Sequence, residues 1–492
     1  MIPANHSLLL TPEAMARVDA AAAATGQDSY GLMRRAGEAV AASALRLYPG
    51  ALRFVVLCGP GNNGGDGYVC AAALRRAGAA TAVFALVDPA RLKGDAKRAQ
   101  TDYSGTSQGM TAFEPVSGDV VIDALFGAGL AREVPAEVSE LIQKVTAAAL
   151  PVIAVDLPSG LDGGSGQVRG AAFRASHTVT FMARKPGHVL LPGRDLCGEV
   201  EVFDIGIPWR LVEAEAGPLH VNNPAIWRAT HRVLGTSDHK YRRGHLTVFS
   251  GPETATGAAR LSAMAGLKAG AGLVTIASPQ AALAANAVHL TAIMLASVDN
   301  DRDLQVYLED ARRRTFVLGP GFGDPEKARA FAVRMGQAGR HLVLDADGIT
   351  AFRLDRHRLA TAFEGEAVRL VVTPHEGEFA RLFPEIAEDG TLAKPAKALA
   401  AAAAVGGVVV YKGADTVIAS PDGRAAIEEH APPSLATAGS GDVLAGIVGA
   451  LLAQGLPAFE AACAGVHLHG QAALSVGPGL TAEDLAGAVL PA

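Results

Sequence analysis

The chain has 492 residues, 49% of them apolar by a broad count, and a formal net charge of -6, which fits about two or three domains with sizeable cores. Both signs of charge are interspersed and no Lys/Arg block exceeds the "RRR" of Arg312 to Arg314, so nucleic acid is not expected as a partner. Cys58, Cys70, Cys197 and Cys463 form no C-x-x-C pair, which argues against a disulfide framework or a zinc site and for the reducing cytoplasm.

The opening stretch "MIPANHSLLLTPEAM" has no basic n-region and no apolar core of signal length, so no secretory leader is expected there. Thr11 as N-cap, Pro12 at the first helical position and Gly26 as a stop predict a helix between them. From Phe54 the apolar runs "FVVLC", "TAVFALV", "VVIDALFG" and "PVIAVDLPSG" alternate with helical stretches such as "VCAAALRRAG" and "VSELIQKVTAAA", a parallel α/β pattern. The alternation lapses between Ile205 and Trp227, a proline-spaced connector, and places a boundary near Gly217. The expected domains are therefore 1–217 and 218–492.

Beyond the boundary "HLTVFSG", "LVTIASP", "FVLGPGFG", "HLVLDADG", "VRLVVTPHEGE" and "VVVYKGADTVIASPDG" form a second α/β series, with helices such as "GAARLSAMAGLKAG" between them. "VVVYKG" and "TVIAS" are close enough for a hairpin, so this sheet is expected to be mixed at one edge. The longest apolar run, "ALAAAAAVGGVVVY" from Ala398, is shorter than a membrane span and broken by Gly-Gly. It reads as a buried helix leading into a strand, and no membrane is expected as partner.

In open α/β sheets ligands bind beyond the carboxyl ends of the strands, so the strand ends are the informative positions. "GPGNNGGDG" contains a literal G-x-G-x-x-G at Gly59, Gly61 and Gly64, with Asp88 near the spacing of a ribose ligand, which reads as a dinucleotide fingerprint. Against that, Asp66 is expected at the helix start, where it would repel a pyrophosphate. Asn63, Asp123 and Ser159 offer hard oxygens suited to a cation, and Asp66 or Asp156 can serve as acid or base. Capping of helices and turns is the alternative use of these carboxylates.

"GPGNNGGDG", "DALFGAGL" and "VDLPSGLD", in that order, resemble the YjeF N-terminal domain, the epimerase of hydrated NADH and NADPH. The resemblance implies a Rossmann-like three-layer sandwich that binds a damaged nicotinamide nucleotide as substrate. It implies potassium at Asn63, Asp123 and Ser159. It also implies substrate contacts at Asn62, Asn63, Gly64, Gly65 and Asp66, along the loop Gly127, Ala128, Gly129, Leu130, Ala131, Arg132 and Glu133, and at catalytic Asp156.

The second half has no G-x-x-x-x-G-K-[ST] loop and no protein-kinase signature. Its phosphate-handling candidate is "ATAGSGDVLAGIVGALLAQG", where Gly439, Ser440 and Gly441 offer bare backbone N–H groups at a helix start. Asp442 follows in the first turn, placed to take a hydroxyl proton beside that anion site. Ser440 or Asp442 as a plain N-cap is the alternative. With "GPGFG" at Gly319 to Gly323, "VVTPHEGE" at His375, "YKGADT" at Lys412 and "HKYRRGHL" at His239, the set resembles the ribokinase-like NAD(P)H-hydrate dehydratase family.

That resemblance implies Asp442 as catalytic base, substrate contacts at Ala258, Gly323, His375 and Asp442, and ADP contacts at Lys412, Gly413, Ala414, Asp415, Thr416, Ala438, Gly439, Ser440 and Gly441. It implies ADP as phosphoryl donor, with magnesium, and a homo-oligomer. The function so implied is repair of hydrated NADH and NADPH. The first domain interconverts the R and S hydrates, and the second dehydrates the S form, giving AMP and phosphate. The alternative is a small-molecule kinase, for a vitamin-like alcohol, joined to a nucleotide-binding N-terminal domain.

Overall fold

A computed structural model describes residues 7–231 and 240–492, so His239 of the "HKYRRGHL" stretch lies outside the described residues. The chain divides into two compact units, Met1–Leu219 and His220–Ala492.

The first unit is built on β1 (Arg53–Cys58), β2 (Thr81–Ala85), β3 (Ser107–Gly109), β4 (Asp119–Ala124), β5 (Val152–Val155), β6 (His177–Phe181) and β7 (Glu199–Phe203). They form a seven-stranded sheet in the order β3-β2-β1-β4-β5-β6-β7, with parallel pairing throughout. The order reverses beside β1, so the crevice above β1 and β4 is the topological switch point. Central strands such as β4 and β5 are buried along their whole length, because a sheet covered on both faces leaves no polar side.

The expected first helix runs from Pro12 to Ala24, with the Thr11 hydroxyl accepting from Ala14 N. The glycine-loop helix differs from expectation. It spans Asn62–Arg76 with Gly61 as N-cap, so Asp66 is its fifth residue and the first turn carries no acid. The glycines that read as loop are helical and serve close packing. A Cβ on Gly65 would lie 2.6 Å from the Met33 side chain, and one on Gly67 would lie 2.7 Å from Ala124 Cβ.

The second unit is a ten-stranded sheet in the order β11-β10-β9-β12-β13-β14-β15-β16-β17-β8. In chain order these are β8 (Leu219–Val221), β9 (His245–Phe249), β10 (Leu273–Ser278), β11 (Met294–Ser297), β12 (Thr315–Leu318), β13 (His341–Leu344), β14 (Leu370–Val372), β15 (Val408–Tyr411), β16 (Val417–Ala419) and β17 (Ala425–Ile427). The β15–β16 and β16–β17 pairs are antiparallel, the expected mixed edge. The proline-spaced connector is more ordered than its composition suggests. It holds a helix, Trp209–Glu215, and the edge strand β8.

The helix Ser440–Ala453 is buried from Val443 through Leu452, the apolar-all-round pattern of a helix enclosed on every side. Gly446 lets it approach the helix Gly257–Lys268, since a Cβ there would stand 2.0 Å from Ser262 O. Both units are α/β, as the alternation of runs implied. Among the described residues no helix is long and apolar enough to cross a membrane.

Candidate active sites

In the first unit a cavity of about 790 Å³ opens at the carboxyl ends of the strands, a size suited to a nucleotide-sized ligand. Asn62, Asn63 and Asp66 line it from the glycine helix, and Gly127 to Arg132 line it from the loop after β4; Asp156 and Lys185 complete the polar wall. Of the residues expected to meet substrate, Gly64 and Gly65 are buried within the helix and Glu133 is exposed, and none of these three lines the cavity.

Asp156 directly follows β5 and adopts φ +65°, rare for a residue with a side chain. Its Oδ1 accepts from Lys185 Nζ at 2.6 Å and from Thr180 Oγ1 at 2.9 Å, and its Oδ2 accepts from Ala128 N at 2.9 Å. Burial pushes the Asp156 carboxyl up, but the Lys185 charge and these hydrogen bonds outweigh it and bring it down to about 2. For Asp66 burial also pushes up, and there Asp156 and Asp19 add to the push, so it stands well above the ordinary carboxylate range. The two carboxyls of one cavity therefore favour opposite protonation states.

Asp123 is fully buried and Ser159 nearly so. The Asp123 carboxylate accepts from Leu125 N, Ser159 N and Ser159 Oγ, all neutral donors, and burial raises it to about 6. The buried Nδ2 of Asn63 has no hydrogen-bond partner. A buried carboxylate met only by neutral donors, with the Ser159 hydroxyl on it, carries a charge that a hard monovalent cation would offset, while Asn63 Oδ1 lies near Gly127. Asp88 does something else: it caps the short helix Pro89–Arg91 through Ala90 N.

In the second unit adjacent strand ends bring three groups together. Asp345 follows β13, Thr373 follows β14 and Lys412 follows β15. Asp345 Oδ1 accepts from Lys412 Nζ at 2.8 Å and from Thr373 Oγ1 at 2.7 Å. Glu378 Oε2 lies 3.9 Å from the same ammonium. Although burial opposes the charge of Lys412, Asp345 and Glu378 hold its pKa above the usual value.

Asp442 lies in the first turn of the helix Ser440–Ala453, whose N-cap Gly439 has φ +85°. A side chain at Gly439 would be strained by that φ and would meet Leu261 and Ala482 below 3 Å. Burial first, and Asp345 second, raise the Asp442 carboxyl to about 6, against the pull of Lys412. Ser440 does not cap the helix. Its hydroxyl donates to Leu435 O, which leaves the first-turn N–H groups without a side-chain cap. A Cβ on Gly441 would stand 3.3 Å from Lys412 Nζ, so the lysine faces the same glycine turn as Asp442.

The other expected residues make these contacts. His375 caps the helix Glu376–Leu382, its Nδ1 accepting from Gly377 N and Glu378 N. Gly323 donates its N–H to Asp347 Oδ2 at 2.9 Å, and Ala258 packs near Gly321. Asp415 pairs with Lys394 at 2.6 Å, and Thr416 closes the turn onto Gly413. Gly413, Ala414 and Ala438 are exposed.

Residues 29–187 match the family described as YjeF-related protein N-terminus, and residues 246–485 match the family described as NAD(P)H-hydrate dehydratase. A protein of Moorella thermoacetica named bifunctional NAD(P)H-hydrate repair enzyme Nnr is 38% identical, across 90% of this chain and 87% of its own. The chain belongs to the family of bifunctional NAD(P)H-hydrate repair enzymes. The Escherichia coli K12 protein of the same name is 34% identical across 92% of this chain and 86% of its own. Among solved structures, a ribokinase-like superfamily protein of Enterococcus faecalis V583 matches 55% of this chain and 94% of its own, at 22% identity and a TM-score of 0.48.

For this repair-enzyme chain, sequence reasoning missed Lys185, Thr180 and His188 in the first unit and Asp345 and Thr373 in the second. Asp345 was findable, because it ends an apolar strand run just as Asp123 and Asp156 do. Lys185 was not, because in "FMARKPGH" it reads as half of a solvated basic pair, yet it is 2% exposed.

Proposed function

We propose that this chain repairs hydrated NADH and NADPH in two steps. The first unit interconverts the R and S hydrates; the second returns the S hydrate to the reduced nucleotide with ADP as phosphoryl donor. The observation that carries the reading is one nucleotide-sized cavity with two carboxyls in its wall, Asp156 paired with Lys185 at 2.6 Å and held low, Asp66 pushed up by burial. Epimerisation at a hydroxyl-bearing carbon breaks one C–O bond and forms another on the opposite face. It needs an acid to protonate the departing oxygen and a base to take a proton from the entering water. Asp66 is the acid and Asp156 the base, and the roles exchange in the reverse direction.

Asn63, Asp123 and Ser159 would hold K+, whose charge offsets that of the buried carboxylate. In the second unit Asp442 takes the proton of the hydrate's hydroxyl as the P–O bond of ADP breaks and a new one forms on that oxygen, releasing AMP. Loss of phosphate together with a ring proton then restores the dihydropyridine. The N–H groups of the Gly439–Gly441 turn and the Lys412 ammonium stabilise the transferring phosphoryl group. Magnesium would be held mainly by the donor's phosphates, since the described residues contain no cluster of three or more acidic, histidine or cysteine ligands.

The enzyme is read as cytoplasmic, on its buried unpaired cysteines, and as a homo-oligomer on the resemblance; light scattering of purified protein tests the latter. The function itself is tested by NADPH absorbance after mixing wild-type protein with both hydrates, Mg2+, and ADP or ATP, in K+ or in choline buffer. Full recovery in K+, and recovery of the S fraction alone in choline, is the expected result. A stable phosphorylated product without NADPH would instead assign the second unit to a small-molecule kinase.

A further inference from the structure

We propose that Lys185 is a positioning residue for epimerisation: with Thr180 it occupies the inner oxygen of Asp156, so that only the outer oxygen, at the cavity wall, exchanges protons with the hydrate. The inference rests on the epimerase reading above and deepens it.

The hydrogen-bond directions are fixed by counting protons. The Lys185 ammonium has three protons and no lone pair; its acceptors are Asp156 Oδ1 at 2.6 Å, Thr180 Oγ1 at 2.8 Å and Phe181 O at 3.4 Å. Thr180 therefore accepts from Lys185 and gives its own proton to Asp156 Oδ1 at 2.9 Å. Two donors fill the lone pairs of Oδ1. Oδ2 receives Ala128 N alone, and its second lone pair remains for a ligand. The position beside it is kept open by Gly127, where a Cβ would come within 2.9 Å of Oδ2.

The same segment also holds the backbone of Asp156. His188 Nδ1 accepts from Lys185 N at 2.8 Å, so the ring proton is on Nε2 and is donated to Asp156 O at 2.8 Å. Residues 185 and 188 thus grip Asp156 at its carboxylate and its carbonyl, where it holds φ +65°. The groups facing Asp156 are Asp19 from the helix Pro12–Ala24, Asp66 from the helix Asn62–Arg76, Lys185 and His188 after β6, with Arg184 beside His188, and Cys197 of the helix Gly193–Cys197. Lys185 and His188 are the basic groups among them that act directly on its carboxyl.

The test uses the full chain with Lys185→Met and Thr180→Val, measuring kcat and KM for the R hydrate from pH 5 to 9, with S-hydrate repair as the check on the rest of the molecule. Lys185→Met should lose about 10²-fold in kcat at pH 7 with little change in KM. Part of that loss should return toward pH 9, because without the cation Asp156 needs a higher pH to ionise. Thr180→Val leaves the Lys185 charge in place and should show a smaller loss of kcat with no acid limb inside that window. A loss equal at every pH, or a raised KM with kcat intact, overturns the proposal and makes Lys185 a scaffold or substrate-binding residue. Should Lys185→Met fail to fold by circular dichroism, Lys185→Gln decides in its place, and an acid limb that stays below pH 5 there overturns the proposal. A wild-type protein that fails to interconvert the epimers refutes the epimerase reading itself, and this inference with it.

Discussion

The two units solve the same electrostatic problem in opposite directions. Each holds a lysine against a carboxylate with a threonine hydroxyl on the same oxygen: Lys185, Asp156 and Thr180 in the first, Lys412, Asp345 and Thr373 in the second. In the first, both groups line the cavity, the lysine is 2% exposed, and the Oδ2 of Asp156 is the oxygen that the lysine leaves free. In the second, Asp345 is 2% exposed and the lysine faces the glycine turn. A buried ion pair offers whichever partner is left nearer the ligand, so one arrangement presents a base and the other a cation. The pair itself adds little net stability, since desolvation consumes most of its Coulombic gain.

The largest expected effects break the two sites separately. Asp442→Ala should abolish NADPH recovery from either hydrate, by about 10³-fold or more in single-turnover absorbance assays. Asp156→Ala should remove conversion of the R hydrate while S-hydrate repair continues. If Asp156→Ala also stops S-hydrate repair, the division of labour between the units is wrong.

Next, Asp345→Asn should test whether the second triad serves its lysine. With Asp345 neutral, Lys412 keeps Glu378 and Asp442 as its nearby carboxylates, so the nucleotide KM should change together with kcat, and urea denaturation should show a loss of up to about 3 kcal/mol. A stability loss with normal kinetics would reduce Asp345 to a structural role.

A packing change gives the control. Gly446→Ala pushes a methyl onto Ser262 O, 2.0 Å from the ideal Cβ position, and should cost about 1–3 kcal/mol, lowering the Tm of the second unit and leaving R-to-S conversion unchanged.

A further effect is in pH-dependent stability. His188 is buried neutral, with burial first and the Lys185 charge next lowering it to about 4. Unfolded histidine titrates near 6.5, so between about pH 6.5 and 4 the unfolded chain binds a proton that the folded one does not, and stability falls as the pH falls. The contribution is on the order of 3 kcal/mol at its limit. Asp156 has the opposite kind of group but the same sign: its folded value of about 2 gives stability present above about pH 4 and lost below it. Urea titrations of wild type and His188→Asn should differ in slope between pH 6.5 and 4, and equal slopes would mean that His188 protonates in the folded protein.

What the sequence determined by itself was whatever depends on local pattern. Alternating apolar runs and alanine-rich stretches specify parallel α/β units, because buried parallel strands need continuous apolar faces. Strand-end carboxylates and glycine turns gave the positions of Asp123, Asp156 and Asp442. The expected helix start at Asp66 failed because glycines that look like a loop from propensity are helical when close packing against Met33 and Ala124 requires them. Only the tertiary structure decided which carboxyl is pushed up and which is held low. Asp66 and Asp156 are the same residue type in one cavity, the first inside a helix and the second directly after a strand, and their opposite pKa shifts come from burial and from one lysine 29 residues beyond Asp156. Neither burial nor a partner so distant in sequence leaves a local pattern, because the Coulomb interaction depends on separation in space.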